Sequence, residues 1–407
     1  MSIIDQITET QAELAALRHD LHAHPETAFE EVRTAERVAQ ALAALGIEVH
    51  RGLAKTGVVG TLRNGAGARA VGLRADMDAL PIEEANDFAH RSRHPGKMHA
   101  CGHDGHIAML LGAARYLAAT RNFDGTVHFI FQPAEESEGG GRAMLEDGLF
   151  ERFPVEAVFG MHNWPGLPVG EFAVRPGPMM ASSDIFEITL AGRGGHGAMP
   201  HQSVDPIVAG SHLVQSLQTI VSRNADPADA AVLTVTQFHG GDAWNVIPGE
   251  VVLRGTTRAF RPEVQDLIER AIARICDGVA ATFGAKVAFR YERRYPPTVN
   301  TPAEAAFAAE VMRELVEAPR VHTDLAPTMG AEDFAFMLQA KPGAYAWIGN
   351  GPGDGGCMLH NPRYDFNDAI LPLGASYWAR LVERFLPAAA RSERVKRATR
   401  AEGRHGR

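Results

Sequence analysis

The 407-residue chain has few cysteines, no long apolar run and no excess of basic residues. Its three cysteines are too few, and odd in number, for a disulfide framework, which favours a reducing cytoplasm. No apolar run approaches the ~18 residues that span a membrane, and residues 3–22 indicate an amphipathic helix instead of a signal peptide. A net charge of −9 argues against nucleic-acid or anionic-lipid partners. We therefore expect a cytoplasmic protein with neither kind of partner.

Alternating helical and strand-like patterns in the first 180 or so residues indicate an α/β domain. Apolar periodicity predicts helices over 3–22, 31–45 and 106–120. Between them lie the runs "TGVVGTL", "AVGLRAD", "GTVHFIFQ" and "EAVFGMHN", several of which stay apolar throughout. Strands buried on both faces have this pattern, so we predict a mostly parallel sheet flanked by helices.

The pattern changes to strand–helix–strand–strand–helix–strand over residues 184–295, which is the order of a ferredoxin-like α+β unit. Alternation then resumes, with helices predicted over 303–317, 331–339 and 368–386. We expect a discontinuous first domain (1–183 and 296–390), an inserted lid or dimerisation domain (184–295) and a flexible basic tail (391–407).

One cysteine lies beside three histidines in "KMHACGHDGH", just ahead of the predicted helix 106–120. These are Cys101, His99, His103 and His106, and such ionisable side chains make a poor apolar core. They are suitable ligands for a metal. If Cys101 and His103 are ligands, further ligands should lie at the carboxyl ends of neighbouring parallel strands, where polar groups converge.

Three strand ends and one loop offer such groups. Each strand is an apolar run that ends abruptly at an acid or an imidazole and is followed by Pro or Gly. The candidates are Asp76 and Asp78 in "VGLRADMDALP", Glu135 and Glu136 in "VHFIFQPAEESEGGG", His162 in "AVFGMHNW", and His360 in the loop "CMLHNPRYDF".

Each candidate also has a simpler explanation. A single histidine at a strand end is commonly just hydrogen-bonded, paired glutamates suit a helix N-terminus, and a cysteine often only packs. Their coincidence at four places favours a metal site. A metal-storage or metal-sensing protein could share the ligands, but it needs no uncoordinated Glu135. A phosphate-binding protein could use "ESEGGGRAM" or "GNGPGDGGC", although neither loop matches the phosphate-binding motif G-x-x-x-x-G-K-[ST].

Six motifs, in order, resemble the amidohydrolase branch of the M20 metallopeptidase family. They are "RADMDALP", "MHACGHDGH", "QPAEE", "GRGGHGAMPH", "NVIPGEV" and "HNPRYDFND". That branch includes hippurate hydrolases, N-acyl-amino-acid deacylases and plant auxin-conjugate hydrolases. The similarity extends from "LRHDLHAHPE" to the last predicted helix, so it covers nearly the whole chain.

The resemblance implies a site with two divalent metal ions, zinc or manganese, with cobalt and nickel as further candidates. Glu135 would be the general base and Asp78 would orient a ligand. The implied metal ligands are Cys101, His103, Glu136, His162 and His360. Elementary chemistry agrees, because a metal lowers the pKa of water toward neutrality and a nearby carboxylate can take the proton. Other branches carry His at the place of Asp76 and Asp at that of Cys101, so the identity of the metal stays open.

By the same resemblance, His196 in the inserted domain stabilises the oxyanion from the partner subunit of a homodimer or a dimer of dimers. Asn245 and Arg258 are candidates for substrate binding, the latter through a carboxylate. A plain turn at His196 and a surface salt bridge at Arg258 are equally open. His99, His106 and His201 are expected to be structural or to orient ligands. The expected substrates are N-acyl amino acids, with N-acetyl-diaminopimelate or small dipeptides as the alternative.

Overall fold

The computed structural model describes residues 2–136, 138–352 and 357–388. The predicted tail, 391–407, lies outside the described residues. The chain divides into two compact units. The first comprises the residues up to Gly177, Asn300–Leu325 and the residues from Phe336 onward, and the second comprises Pro178–Val299 and Ala326–Ala335.

The helices of the described residues are α1 (Ile3–Thr8), α2 (Gln11–His22), α3 (Val32–Ala44), α4 (His103–Thr120), α5 (Gly140–Glu146), α6 (Leu149–Arg152), α7 (Pro206–Thr219), α8 (Pro262–Phe283), α9 (Pro302–Arg313), α10 (Phe334–Ala340) and α11 (Leu371–Phe385). The strands are β1 (Glu48–Leu53), β2 (Gly57–Asn64), β3 (Ala70–Asp76), β4 (Gly125–Gln132), β5 (Ala157–Pro165), β6 (Phe172–Ala173), β7 (Gly177–Met180), β8 (Ser183–Ala191), β9 (Gly195–His196), β10 (Ala231–His239), β11 (Val246–Ile247), β12 (Glu250–Ala259), β13 (Lys286–Tyr295), β14 (Thr298–Asn300), β15 (Val321–His322) and β16 (Gly343–Gly351).

The first unit contains a sheet in the order β1-β2-β4-β3-β5-β16-β6-β15. Its four central strands, β4, β3, β5 and β16, run parallel to one another. These strands are almost wholly buried, as their continuous apolar sequences predict. Helix α4 contacts β3, β4 and β5 as well as α2 and α11. The predicted helix-flanked, mostly parallel sheet is therefore confirmed.

The second unit contains an antiparallel sheet in the order β10-β12-β8-β13. Alternate residues of β8 (Phe186, Ile188 and Leu190) are buried in one core with Leu213 of α7 and Ile268 of α8. The order of strands and helices is that of the predicted ferredoxin-like α+β unit. This part of the fold prediction is also confirmed.

Two local predictions are wrong and one strand was missed, each for a physical reason. The predicted helix 3–22 is two helices, because the hydroxyls of Thr8 and Thr10 bond to carbonyls of the preceding turn. Helix α4 begins at His103, three residues before the predicted start, after the left-handed Gly102. The edge strand β1 was missed because its sequence "EVHRGL" includes three polar residues and only its last residue, Leu53, is buried.

Two further findings concern the cysteines and the length and polarity of the helices. The chain's cysteines, Cys101, Cys276 and Cys357, are all free thiols, as the sequence predicts. Within the described ranges, every helix is too short or too polar to traverse a bilayer.

Candidate metal centre

Several candidate residues of the first unit lie at or near strand ends along one edge of its sheet. Strands β3, β4 and β5 are parallel, so their carboxyl ends point the same way. Asp76 is the last residue of β3, the Glu135–Glu136 pair follows β4, and His162 lies near the end of β5. The sheet topology thus explains why residues distant in sequence meet here.

Cys101 and His103 are presented by the connection that leads into α4. Gly102, between them, has φ = 94° and a left-handed conformation that favours glycine. A Cβ atom on Gly102 would lie 2.3 Å from Oδ1 of Asn163, so a larger residue does not fit. His103 is the first residue of α4 and is buried. Gly102 therefore allows the thiol and the imidazole to flank one tight turn.

Among the residues that the structure describes, two groups of possible metal ligands share Cys101. The first is Cys101 with His103 and His162, and the second is Cys101 with Glu136 and His360. Within each group the ligand atoms all lie within 4.8 Å of one another. His360 is in a turn whose backbone N–H donates to the carbonyl of Ala100 at 2.8 Å. The structure thus brings together all five residues predicted as ligands.

The imidazole of His162 is oriented toward the thiol. Its Nδ1 lies 2.6 Å from the backbone carbonyl of Asn163, which can only accept, so Nδ1 carries the hydrogen. Burial lowers the pKa of His162 well below its ordinary value, which keeps the ring neutral. Nε2 therefore has a free lone pair, 3.3 Å from Sγ of Cys101. This is the protonation state that a metal-binding histidine requires.

The charges around the centre fit a cation. Although burial favours a neutral ring, the carboxylates of Asp76, Asp78 and Glu136 raise the pKa of His103 to about 10. Across the described part of the chain, neither ring nitrogen of His103 makes a hydrogen bond of good geometry, although Nδ1 lies 3.4 Å from Oδ1 of Asp78. Buried polar atoms are normally satisfied, so this cluster of acids and an unsatisfied imidazole is suited to a divalent metal ion.

The charges around the second ligand group, Cys101, Glu136 and His360, also fit a cation. Nε2 of His360 lies 3.1 Å from Oε1 of Glu136, and this carboxylate raises the pKa of His360. Burial, with the nearby Glu136 and Glu135, raises the pKa of the Cys101 thiol well above its ordinary value. The donor set of thiol, imidazole and carboxylate suits zinc, while imidazole and carboxylate also suit manganese.

Asp78 holds the turn that follows β4. Its Oδ1 accepts the backbone N–H of Glu135 at 3.0 Å, and its Oδ2 accepts that of Glu136 at 2.8 Å. Asp78 is only 1% exposed, and its Oδ1 also faces His103. The residue predicted to orient a ligand therefore contacts the backbone of both glutamates, and Glu135 is itself buried.

A buried network behind the ligands could not be assigned from the sequence. The ring of His106 lies between Asp76 Oδ1 at 2.5 Å and Asn163 Oδ1 at 2.7 Å. The side-chain amide of Asn163 also donates to the hydroxyl of Tyr364. These contacts connect the segments that carry His103, His162 and His360. His99 is buried near the ring of His22, and burial lowers its pKa to about 3.

The remaining predicted site residues belong to the second unit. His196 lies in β9, paired with Val246 of β11, and its side chain is exposed. The carbonyl of Asn245 accepts the backbone N–H of Gly197 at 2.8 Å, so His196 and Asn245 share one small ribbon. Arg258 lies in β12, where its guanidinium bonds to the carbonyl of Thr257 at 2.9 Å. The catalytic and substrate-binding roles of all three stay predictions.

Comparison with known proteins identifies the family of the chain. A family model described as peptidase family M20/M25/M40 matches residues 72–384. The chain belongs to this family. The matched segment contains every predicted ligand, the paired glutamates and the second compact unit.

Relatives in the M20 family align over nearly the full chain. The hippurate hydrolase of Campylobacter jejuni is 43% identical over 386 residues, which are 95% of this chain and 100% of the relative. The N-acetylcysteine deacetylase of Bacillus subtilis is 38% identical over 370 residues, or 90% and 95% of the two chains. The crystal structure of a B. subtilis protein described as a dinuclear metal binding peptidase from the M20 family superposes with a TM-score of 0.81. It is 34% identical, and the match covers 94% of this chain and 100% of that one.

These findings confirm three predictions made from the sequence. The family is the predicted one, the fold class agrees, and the chain is a metal-dependent enzyme that hydrolyses amide bonds.

Proposed function

We propose that this M20 enzyme cleaves the amide bond of N-acyl amino acids, of the hippurate or N-acetyl type, at a centre of two divalent metal ions. The observation that carries the proposal is that Cys101 belongs to both ligand groups while Glu135 lies beside them. The relatives named hippurate hydrolase and N-acetylcysteine deacetylase support this substrate class.

Cys101, His103, Glu136, His162 and His360 would hold the two ions, for which zinc and manganese are the first candidates and cobalt and nickel the next. Bound divalent ions supply Lewis acidity toward water and the amide carbonyl. Glu135 takes a proton from the attacking water on its carboxylate and delivers it to the leaving nitrogen. Asp78 keeps Glu135 and Glu136 in place through their backbone N–H groups.

We also propose roles for three residues of the second unit. We assign oxyanion stabilisation to the exposed His196, and substrate contacts to Asn245 and Arg258, whose guanidinium suits a carboxylate. In this scheme the first unit is the catalytic domain, and the second is the lid and dimerisation domain of a homodimer. The exposed edge strand β10 and the exposed apolar side chains of Phe238 and Trp244 support an interface there. The free thiol of Cys101 must stay reduced to bind metal, which favours the cytoplasm.

Removal and return of the metal test this proposal. The chelator-stripped protein should lose hydrolysis of hippurate and N-acetyl amino acids and recover it with Zn²⁺, Mn²⁺ or Co²⁺, because the ions supply the Lewis acid. The measurement is the rate of amine release across N-acyl amino acids, N-acetyl-diaminopimelate and dipeptides, with each metal added separately, Ni²⁺ included. Full activity in the stripped protein, or no hydrolysis of any N-acyl amino acid with any metal, would contradict the proposal.

A further inference from the structure

A third buried carboxylate contacts the turn that carries the paired glutamates. Glu31, the residue before helix α3, has 0% exposure. Its Oε1 accepts the backbone N–H of Ala134 at 2.9 Å, directly before Glu135. Asp78 accepts the next two N–H groups. Three successive N–H groups of this turn are therefore bound by two carboxylates, one from each of two distant segments.

The turn needs such support because Ala134 is strained. Its φ is 54°, in the left-handed region that residues with a Cβ atom rarely adopt. The carbonyl of Ala134 accepts the backbone N–H of Gly140 at 2.9 Å. A Cβ atom on Gly140 would lie 1.8 Å from the carbonyl oxygen of Pro133, so only glycine allows this closure. The peptide groups on both sides of Ala134 are thus fixed by hydrogen bonds. Glu31 binds the N–H on the first side, and the N–H of Gly140 binds the carbonyl on the second.

Helix capping and packing do not explain why a carboxylate is buried here. Although Glu31 occupies the N-cap position of α3, its side chain makes no capping hydrogen bond to that helix. Its other contacts are the N–H of Phe29 at 3.0 Å and the hydroxyl of Thr56 at 2.6 Å. Burial, with repulsion from Asp78, raises the pKa of Glu31 to about 7. A buried charge is costly, so an apolar residue would serve packing better.

We propose that Glu31 is a positioning residue whose carboxylate holds the Pro133–Glu136 turn so that Glu135 and Glu136 are presented together. The inference rests on the proposed function for its effect on turnover. Its effect on metal binding, through the ligand Glu136, does not depend on which substrate the enzyme uses.

Four variants of the full-length protein test this role. Glu31→Leu removes the acceptor at similar volume, and Glu31→Asp withdraws the carboxylate by one methylene group. Glu31→Gln keeps one oxygen that can accept from Ala134. Thr56→Val is the matched control, because it removes one hydrogen bond to the same carboxylate without touching the turn. For each variant we would measure the Zn²⁺ dissociation constant against a competing chelator, kcat and KM, and the melting temperature of the metal-free protein.

We expect Glu31→Leu and Glu31→Asp to weaken Zn²⁺ binding and lower kcat by about 10–100-fold, as removal of residues that orient ligands does. KM should change much less, because the fully buried Glu31 side chain is closed to contact from solvent. Glu31→Gln and Thr56→Val should stay close to wild type in both Zn²⁺ affinity and kcat. If Glu31→Leu does not fold, the Zn²⁺ affinity and kcat of Glu31→Asp test the role of Glu31.

The proposal is overturned if Glu31→Asp matches wild type in Zn²⁺ affinity and kcat. It is equally overturned if Thr56→Val loses as much as Glu31→Asp, since that would indicate general destabilisation. If the wild-type protein hydrolyses no N-acyl amino acid, the proposed function fails, and the Zn²⁺ affinities alone still decide the role of Glu31.

Discussion

The Glu135→Gln variant should lose about 10²–10⁴-fold in kcat, the range that a general base contributes, while it still binds two metal ions per chain. The amide cannot take a proton from water, but it preserves the volume of this buried side chain. Glu136, the neighbouring ligand, is unchanged. The measurement is steady-state kinetics on a hydrolysed N-acyl amino acid, with metal content determined on the same sample.

The control for this variant is Glu138→Gln, which changes an exposed glutamate of the same segment and should leave kcat and metal content unaltered. If Glu135→Gln hydrolyses the substrate at the wild-type rate, Glu135 is not the base. If it loses metal together with activity, Glu135 is a ligand instead, and the division of roles between the two glutamates is wrong.

Replacing Cys101 with alanine should lower activity at least as much as Glu135→Gln does. The cause would be different, because this variant should lose affinity for the metal ions. Cys101 belongs to both ligand groups, so its loss weakens the binding of both ions. We expect metal affinity to fall by more than the roughly 10–100-fold that loss of an orienting residue costs, and activity to fall with it. Measuring metal content after dialysis, together with kcat/KM, checks this expectation.

Cys276→Ala is the matched control, because Cys276 is a buried free thiol in the core of the second unit. This variant should keep its metal and its activity, although the small cavity lowers stability. Cys101→Asp should retain more metal than Cys101→Ala, since a carboxylate can also coordinate two ions. Equal metal content in wild type and Cys101→Ala would exclude the shared-ligand arrangement.

The sequence reveals several of the ligand candidates because they lie where an apolar run breaks off. A buried parallel strand is a run of apolar residues, so an acid or imidazole at its end is conspicuous, as at Asp76 and His162. The parallel topology then brings those ends together. The ferredoxin-like order of the second unit is predicted from the succession of strand-like and helical segments, and in β8 buried residues alternate with more exposed ones.

Residues that act through tertiary contacts leave no such pattern. Glu31 is preceded by another glutamate and followed by a helix, so its sequence indicates no more than a favourable charge at a helix N-terminus. The hydrogen bonds of His106 to Asp76 and Asn163 depend on how α4 packs against the sheet. Strand β1 is missed because it is polar and lies at the edge of the sheet. Such features can be identified only when the three-dimensional structure shows which segments are neighbours.

The most direct test of a two-metal centre is an anomalous-scattering map from crystals of the zinc-loaded protein. We predict two peaks about 3.5–4 Å apart, the spacing of two-metal sites, with Sγ of Cys101 in contact with both. His103 and His162 should coordinate one ion, and Glu136 and His360 the other. No peak at Cys101 under saturating zinc, or peaks bound only by other residues, would contradict the account.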